Sequence, residues 1–306
     1  MPIELDNLST ELKAKIELGT GFASIFGTTF YVDSNGTNAG DTTAHGKTVA
    51  FPFATLDYAI GQCTSGKGDV IIVAPLHTET IGTAGLTIDV DDVSIIGLGR
   101  GASSPTFTLT PSLATDDCVV ISADECLIQN LRFIPGLDSV DDQIQVTGTG
   151  NVIRQCYFGS SSSYQPDNML VLDGPDTVVE WCDFVSTDVG VNRAIELKRS
   201  LASGSTIRNN IIYGDFVIAP IYVEAAQTCT DLHIYSNIIT NVNAGEPAIE
   251  LLSASTGVIA NNVVNCELAA TATKTAIDPG SCYCVENYGS DGVGDVSGIL
   301  NPVADA

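Results

Sequence analysis

One short phrase recurs along the chain at an almost constant interval, and it limits the folds open to this sequence more than any other feature. Its clearest copies are Ile207-Arg208-Asn209-Asn210-Ile211-Ile212, Ile234-Tyr235-Ser236-Asn237-Ile238-Ile239 and Ile259-Ala260-Asn261-Asn262-Val263-Val264. Upstream copies begin at Ile128, Ile153 and Val179 and put Leu131, Cys156 and Cys182 in the asparagine slot; a last, degenerate copy ends on Asn287-Tyr288. The slot falls at 131, 156, 182, 210, 237, 262 and 287, so the intervals are 25, 26, 28, 27, 25 and 25 residues. A period of that length marks a solenoid.

Ahead of each copy stands a second apolar run, at 118–122, 143–146, 169–172, 194–197, 220–223, 248–251 and 275–277. Runs this short, rich in β-branched residues and bounded by Gly, Asp, Ser and Asn, are strands. Two or three strands per repeat with no helix between them predict a parallel β-helix; the Leu-x-x-Leu-x-Leu spacing of leucine-rich repeats is absent. At a sharp corner an inward Asn bonds backbone groups that the bend leaves unpaired, and it bonds the Asn one rung away. Asn210, Asn237, Asn262 and Asn287 are therefore expected to form an internal ladder, continued by Cys156 and Cys182 as small buried thiols.

On these residues the chain resembles the right-handed parallel β-helix proteins of the pectate-lyase-like superfamily over about residues 50 to 290. That family holds polysaccharide lyases and hydrolases and also many phage tailspike and other virion proteins. The expected architecture is all-β: an attachment segment at 1–26, an opening strand, loop and capping helix at 27–66, about nine rungs at 67–290, and a tail at 291–306. Val70 to Val73 and Val93 to Leu98 supply the first rung strands, with Ile72 and Leu98 expected in phase with the core. Pro52 to Ile60 is expected to be helical, with Thr55 as a cap and Leu56, Ala59 and Ile60 on one face. Such a helix covers an open end that would otherwise recruit another chain.

The first 26 residues are unlike the rest. Leu5, Leu8, Leu12 and Ile16 recur at intervals of three and four, as on one face of a helix. That stripe either covers the first rung or serves attachment, docking on a larger assembly or pairing with copies of itself; a closed homotrimer is the expected assembly, since the resembled virion proteins are often trimeric. The start Met1-Pro2-Ile3-Glu4 lacks the basic-then-apolar order of a secretory signal, and no run approaches a membrane span. Synthesis in a host cytoplasm and release in a virion fit those features.

Charge narrows the partners. Thirty-seven Asp and Glu against 12 Lys and Arg give a formal charge of -25, which argues against a nucleic-acid backbone or an anionic membrane as ligand. Nine cysteines do not make a disulfide framework, and Cys118, Cys126, Cys156 and Cys182 sit at rung positions as free thiols. Cys266, Cys282 and Cys284 lack the spacing of a zinc site.

Two carboxylate columns are candidates for chemistry. Glu196, Glu224 and Glu250 each follow an inward aliphatic residue and are expected to stack outward about 5 Å apart, a separation that suits a retaining glycosidase pair. The alternative is a solvated row eased by Lys198 and Arg199. Asp117, Asp142 and Asp167, spaced by 25 residues, precede strands and are the candidate ligands for Ca²⁺; turn-entry Asp also caps local amides without metal. No cofactor is otherwise expected. The Asn-Thr-Asp, Gly-His-Gly and Arg-Ile-Lys segments of the polygalacturonase-like branch are missing, and His45, His77 and His233 are scattered. The expectation is thus a non-enzymatic phage virion protein, a capsid decoration, spike or fibre component held by its N-terminal segment and able to contact a host glycan. The alternative is a hydrolase or lyase acting on host surface polysaccharide through the Glu column.

Overall fold

A computed structural model describes residues 27–111, 118–188, 190–224, 227–251, 254–267, 275–290 and 297–300. The chain winds into a parallel β-solenoid whose rungs each lay one strand in three sheets. The first rung shows the order: Val70–Val73 in the first sheet, Thr78–Ile81 in the second, Leu86–Ile88 in the third. The first sheet holds ten strands, from Thr29–Val32 to Tyr283–Val285, and the third holds eight, ending at Ile277–Asp278. The second holds ten, of which the last, Ser297–Leu300, pairs antiparallel with Asn287–Ser290. Eight third-sheet strands mean eight complete turns and part of a ninth, about 40 Å of coil at the ~4.8 Å strand spacing.

Ile128, Ile153, Val179, Ile207, Ile234 and Ile259 face one another in register along the first sheet, all buried. On the second sheet Phe107, Phe133, Phe158 and Phe184 stack with centroids 5.7, 5.5 and 4.6 Å apart, and Ile212, Ile239 and Val264 continue the column. The first two rungs correct one expectation. Ile71 and Ile95 point inward, whereas Ile72 faces out and Leu98 is 44% exposed, because Ile72 and Leu98 are on the opposite pleat from the core residues.

Between the first and second sheets the chain turns in two residues. The first of these is left-handed in every described rung from the third on: Asn130, Gln155, Trp181, Asn209, Ser236, Asn261 and Glu286 have φ between 51 and 58°. The second points inward and is the repeated slot. Asn237 shows what it does: its Oδ1 accepts from the Asn210 backbone N and from Asn210 Nδ2, both at 3.0 Å, and its Nδ2 donates to Ile207 O at 2.9 Å and Asn262 Oδ1 at 3.0 Å. Asn210, Asn262 and Asn287 share the pattern. Cys182 Sγ donates to Ile153 O at 3.6 Å and Cys156 Sγ to Ile128 O at 3.7 Å, the same acceptor position one rung away.

The open end is covered by helix α1, Leu56–Ile60, shorter than the expected 52–60 because Phe53 bridges to Val32 as extended chain. Thr55 caps it, and Leu56, Ala59 and Ile60 are buried against the first rung. Glu79 fixes the helix to the coil: its Oε2 accepts from Leu56 N at 2.9 Å and lies 3.2 Å from His77 Nε2, whose Nδ1 accepts from Ser34 N at 2.9 Å. The stripe of Leu5, Leu8, Leu12 and Ile16 lies outside the described residues.

Candidate functional site on the third sheet

The chemistry-bearing residues gather on the outer face of the third sheet, where a bulge sets their direction. Ala194 N and Ile195 N both donate to Pro220 O, at 3.1 and 2.8 Å, so two residues of one strand oppose one of the next. The extra residue puts Arg193 and Glu196, three apart, on the same face. Arg193 Nη1 lies 3.5 Å from Glu196 Oε1, and the guanidinium sits 4.5 Å over the Tyr222 ring.

Register decides which carboxylates meet. Glu196 pairs with Tyr222 and Tyr222 with Glu250, so Glu224 is not in that column. Its strand aligns Val223 with Leu197, which sets Glu224 level with Lys198, and Glu224 N donates to Leu197 O at 3.4 Å. The expected three-Glu column is therefore corrected: Glu196 and Glu250 lie two rungs apart, roughly 9.6 Å, with an aromatic ring between them. Glu196 and Glu250 are therefore not the adjacent-rung neighbours that the retaining-pair expectation required.

The Asp column is corrected in the same way. Asp142 aligns with Asn168 and then Arg193, placing Asp167 one residue out of register with it. Asn168 Nδ2 donates to Asp142 Oδ1 at 2.8 Å, Arg193 Nη1 donates to Asn168 Oδ1 at 3.0 Å, and Lys198 Nζ stands 3.6 Å from Asp142 Oδ2. Burial, with Asp141 nearby, pushes the Asp167 carboxyl up. Asp117 lies outside the described residues. No cluster of three or more His, Cys, Asp or Glu among the described residues is placed to hold a metal ion.

Three carboxylates of this region each have a cation beside them. Asp142 meets Lys198, Glu196 meets Arg193, and Asp173 lies 3.5 Å from Arg199. Although on an outer face, Glu196, Tyr222 and Glu250 are buried. Burial pushes the Glu196 carboxyl up despite Arg193 and Lys198, which pull it down. Chemically, the constellation offers one carboxyl biased toward its neutral form beside an arginine and a stacked tyrosine. Arg193 and Tyr222 escape a sequence reading, because only the bulge brings an i, i+3 pair to one side of a strand.

No protein-family model matches the sequence, and no curated protein sequence matches it. Among solved structures, the crystal structure of pectate lyase Pel9A is similar over 93% of this chain and 80% of its own, with a TM-score of 0.60 and 11% identity. ORF18 of Geobacillus virus E2 aligns over 91% of this chain and 62% of its own, with a TM-score of 0.34 and 12% identity. The fold is a pectate-lyase-like parallel β-helix. At 11% identity the likeness is one of fold.

Proposed function

We propose that the chain is a structural virion protein of a phage, a rigid β-helix prism that decorates a capsid or forms part of a spike or fibre. The observation that carries this reading is the ion pairing on the third sheet: Asp142, Glu196 and Asp173 are each engaged by a cation of the same chain. A working acid–base pair needs its groups turned to a substrate, and these are turned to one another. The stripe of Leu5, Leu8, Leu12 and Ile16 is the proposed attachment element, and a closed homotrimer the proposed assembly.

A second reading, cleavage of host surface polysaccharide, draws on the likeness to a pectate lyase and on the raised Glu196 carboxyl. The two separate in one experiment. Purified protein is incubated with a panel of bacterial surface and uronate polysaccharides, and phage particles encoding it are probed with an antibody. Labelled particles and no new reducing ends or unsaturated products support the structural reading. Cleavage abolished by Glu196→Gln or Glu224→Gln transfers the function to the enzyme. On the structural reading, removal of residues 1–26 leaves a folded prism that no longer binds particles stripped of it.

A further inference from the structure

The chain has a single tryptophan, and it stands at the corner between the first and second sheets, in a place that suits it poorly. Trp181 takes the left-handed turn position, with φ 57°, that Asn fills at 130, 209 and 261, and it is 60% exposed. Packing does not call for it, because the next residue, Cys182, is the one that enters the core. A bulky side chain held both strained and exposed points to a use outside the fold.

The surroundings narrow that use. Gln155 and Asn209 occupy the same corner position one rung to either side, ~4.8 Å away, and Gln155 N donates to Glu180 O while Trp181 N donates to Arg208 O. On the first-sheet side Arg154, Glu180 and Arg208 are consecutive partners in register. Arg154 donates to Gln129 Oε1 at 3.0 and 2.7 Å; Arg208 donates to Glu180 Oε2 at 2.8 Å and to the Tyr235 hydroxyl at 2.8 Å. On the second-sheet side, two residues beyond the indole, Asp183 is exposed.

We propose that Trp181 is the stacking platform of a binding site for an uncharged glycan, with a pyranose ring on the indole and its hydroxyls bonded to Gln155, Asn209 and Asp183. Other ligand classes fit less well. A polyanion is opposed by the formal charge of -25, and both guanidinium forks are already turned to neighbours of the same chain. A cation over the ring would meet Arg154 and Arg208, one rung to either side of Glu180. An apolar peptide would strip water from two amides and a carboxylate without replacing the lost hydrogen bonds. A sugar satisfies both halves of the corner: its C–H face suits the electron-rich indole, and its hydroxyls donate and accept as the amides require.

The site is separate from the third-sheet carboxylates and rests on neither reading of the function, since a spike or an enzyme could carry it. Its one tryptophan is also its reporter. Full-length protein is titrated with oligosaccharides of glucose, mannose, galactose and N-acetylglucosamine, and with galacturonate oligomers as the charged comparison, while indole emission is followed. At least one neutral series should move the emission to shorter wavelength and saturate; the uronates should not. In calorimetry with that series, Trp181→Asn should lose at least tenfold in affinity while melting no lower than the wild type, and Trp181→Tyr should keep part of the binding. Gln155→Ala should weaken it severalfold, and Asp231→Asn, an exposed change at the far edge of the first sheet, should leave it unaltered. No saturable change with any neutral series, a response to the uronates alone, or undiminished affinity in folded Trp181→Asn overturns the proposal.

Discussion

A tryptophan held at φ 57° is an expensive residue to place at a corner. Trp181 occupies the left-handed position that Asn130, Asn209 and Asn261 fill in other rungs, and it is 60% exposed. Left-handed backbone costs an ordinary L-residue about 1 to 2 kcal/mol, while Asn adopts it more readily. Trp181→Asn should therefore raise stability by about 1 kcal/mol in a denaturant melt. The next residue in the turn behaves oppositely. Asn237→Ala strips Asn210 N and Ile207 O of their buried partners and should cost about 3 kcal/mol, whereas Asn237→Cys keeps a donor for Ile207 O and should cost less. The slot was legible because four successive rungs fill it with Asn; the left-handed position was not, because Gln, Trp, Ser and Glu interrupt its Asn copies and share with them only the backbone they adopt. Glu196 gives a test by pH. Its carboxyl is raised in the fold, so the native state holds the proton more tightly than the unfolded chain, and the stability this contributes at low pH is lost as pH rises through the folded value. Glu196→Gln should raise the melting temperature at pH 7, with the gain shrinking on acidification below the ordinary carboxylate range.

At the scale of elements, the capping helix depends on a residue outside it. Leu56 N, among the orphan donors of the first turn, is taken by Glu79 from the second sheet, while Asp41 binds Ala54 N, Thr55 N and the Thr55 hydroxyl. Glu79→Ala should lower stability by about 1 to 2 kcal/mol. Hydrogen exchange should quicken at Leu56 and Ser34 and stay slow at mid-coil amides such as Ile234, since the loss is confined to one end. The helix and its cap were readable from Thr55 and the spacing of Leu56, Ala59 and Ile60. Strand phase was readable only where the repeat is strong. Ile71-Ile72 and Ile95-Ile96 are doublets, and a period of two cannot say which member points inward when both are apolar. The same ambiguity moved Glu224 out of its expected column: Val223 aligns with Leu197 and not with Ile195, so counting back from each Glu to its preceding aliphatic gave a false register.

For the whole molecule, stacking supplies a core long enough to hold together with no disulfide among its nine cysteines. None of the nine is in a disulfide, and burial pushes the thiols of Cys63 and Cys282 up to about 12 and those of Cys229 and Cys284 to about 11. A disulfide-exchange reagent at pH 8 should therefore label native protein slowly and all nine thiols after unfolding; rapid labelling of several would contradict the buried column. The solenoid and its approximate rung count were foreseeable from the period, since each repeat can bury its apolar face only on the next, whereas the period left two or three strands per rung open and the structure has three. The third-sheet ion network was not, because which carboxylate meets which cation depends on one bulge and on shifts of a single residue. The last strand of the second sheet has a further effect. A coil of identical rungs has no intrinsic length, and its final edge is a template on which another chain could lay a parallel strand and begin a fibre. Ser297–Leu300 occupies the edge beyond Asn287–Ser290 in the reverse direction. An incoming parallel rung meets a hydrogen-bonding pattern of the wrong polarity on that side, so end-to-end polymerisation is opposed by the direction of four residues.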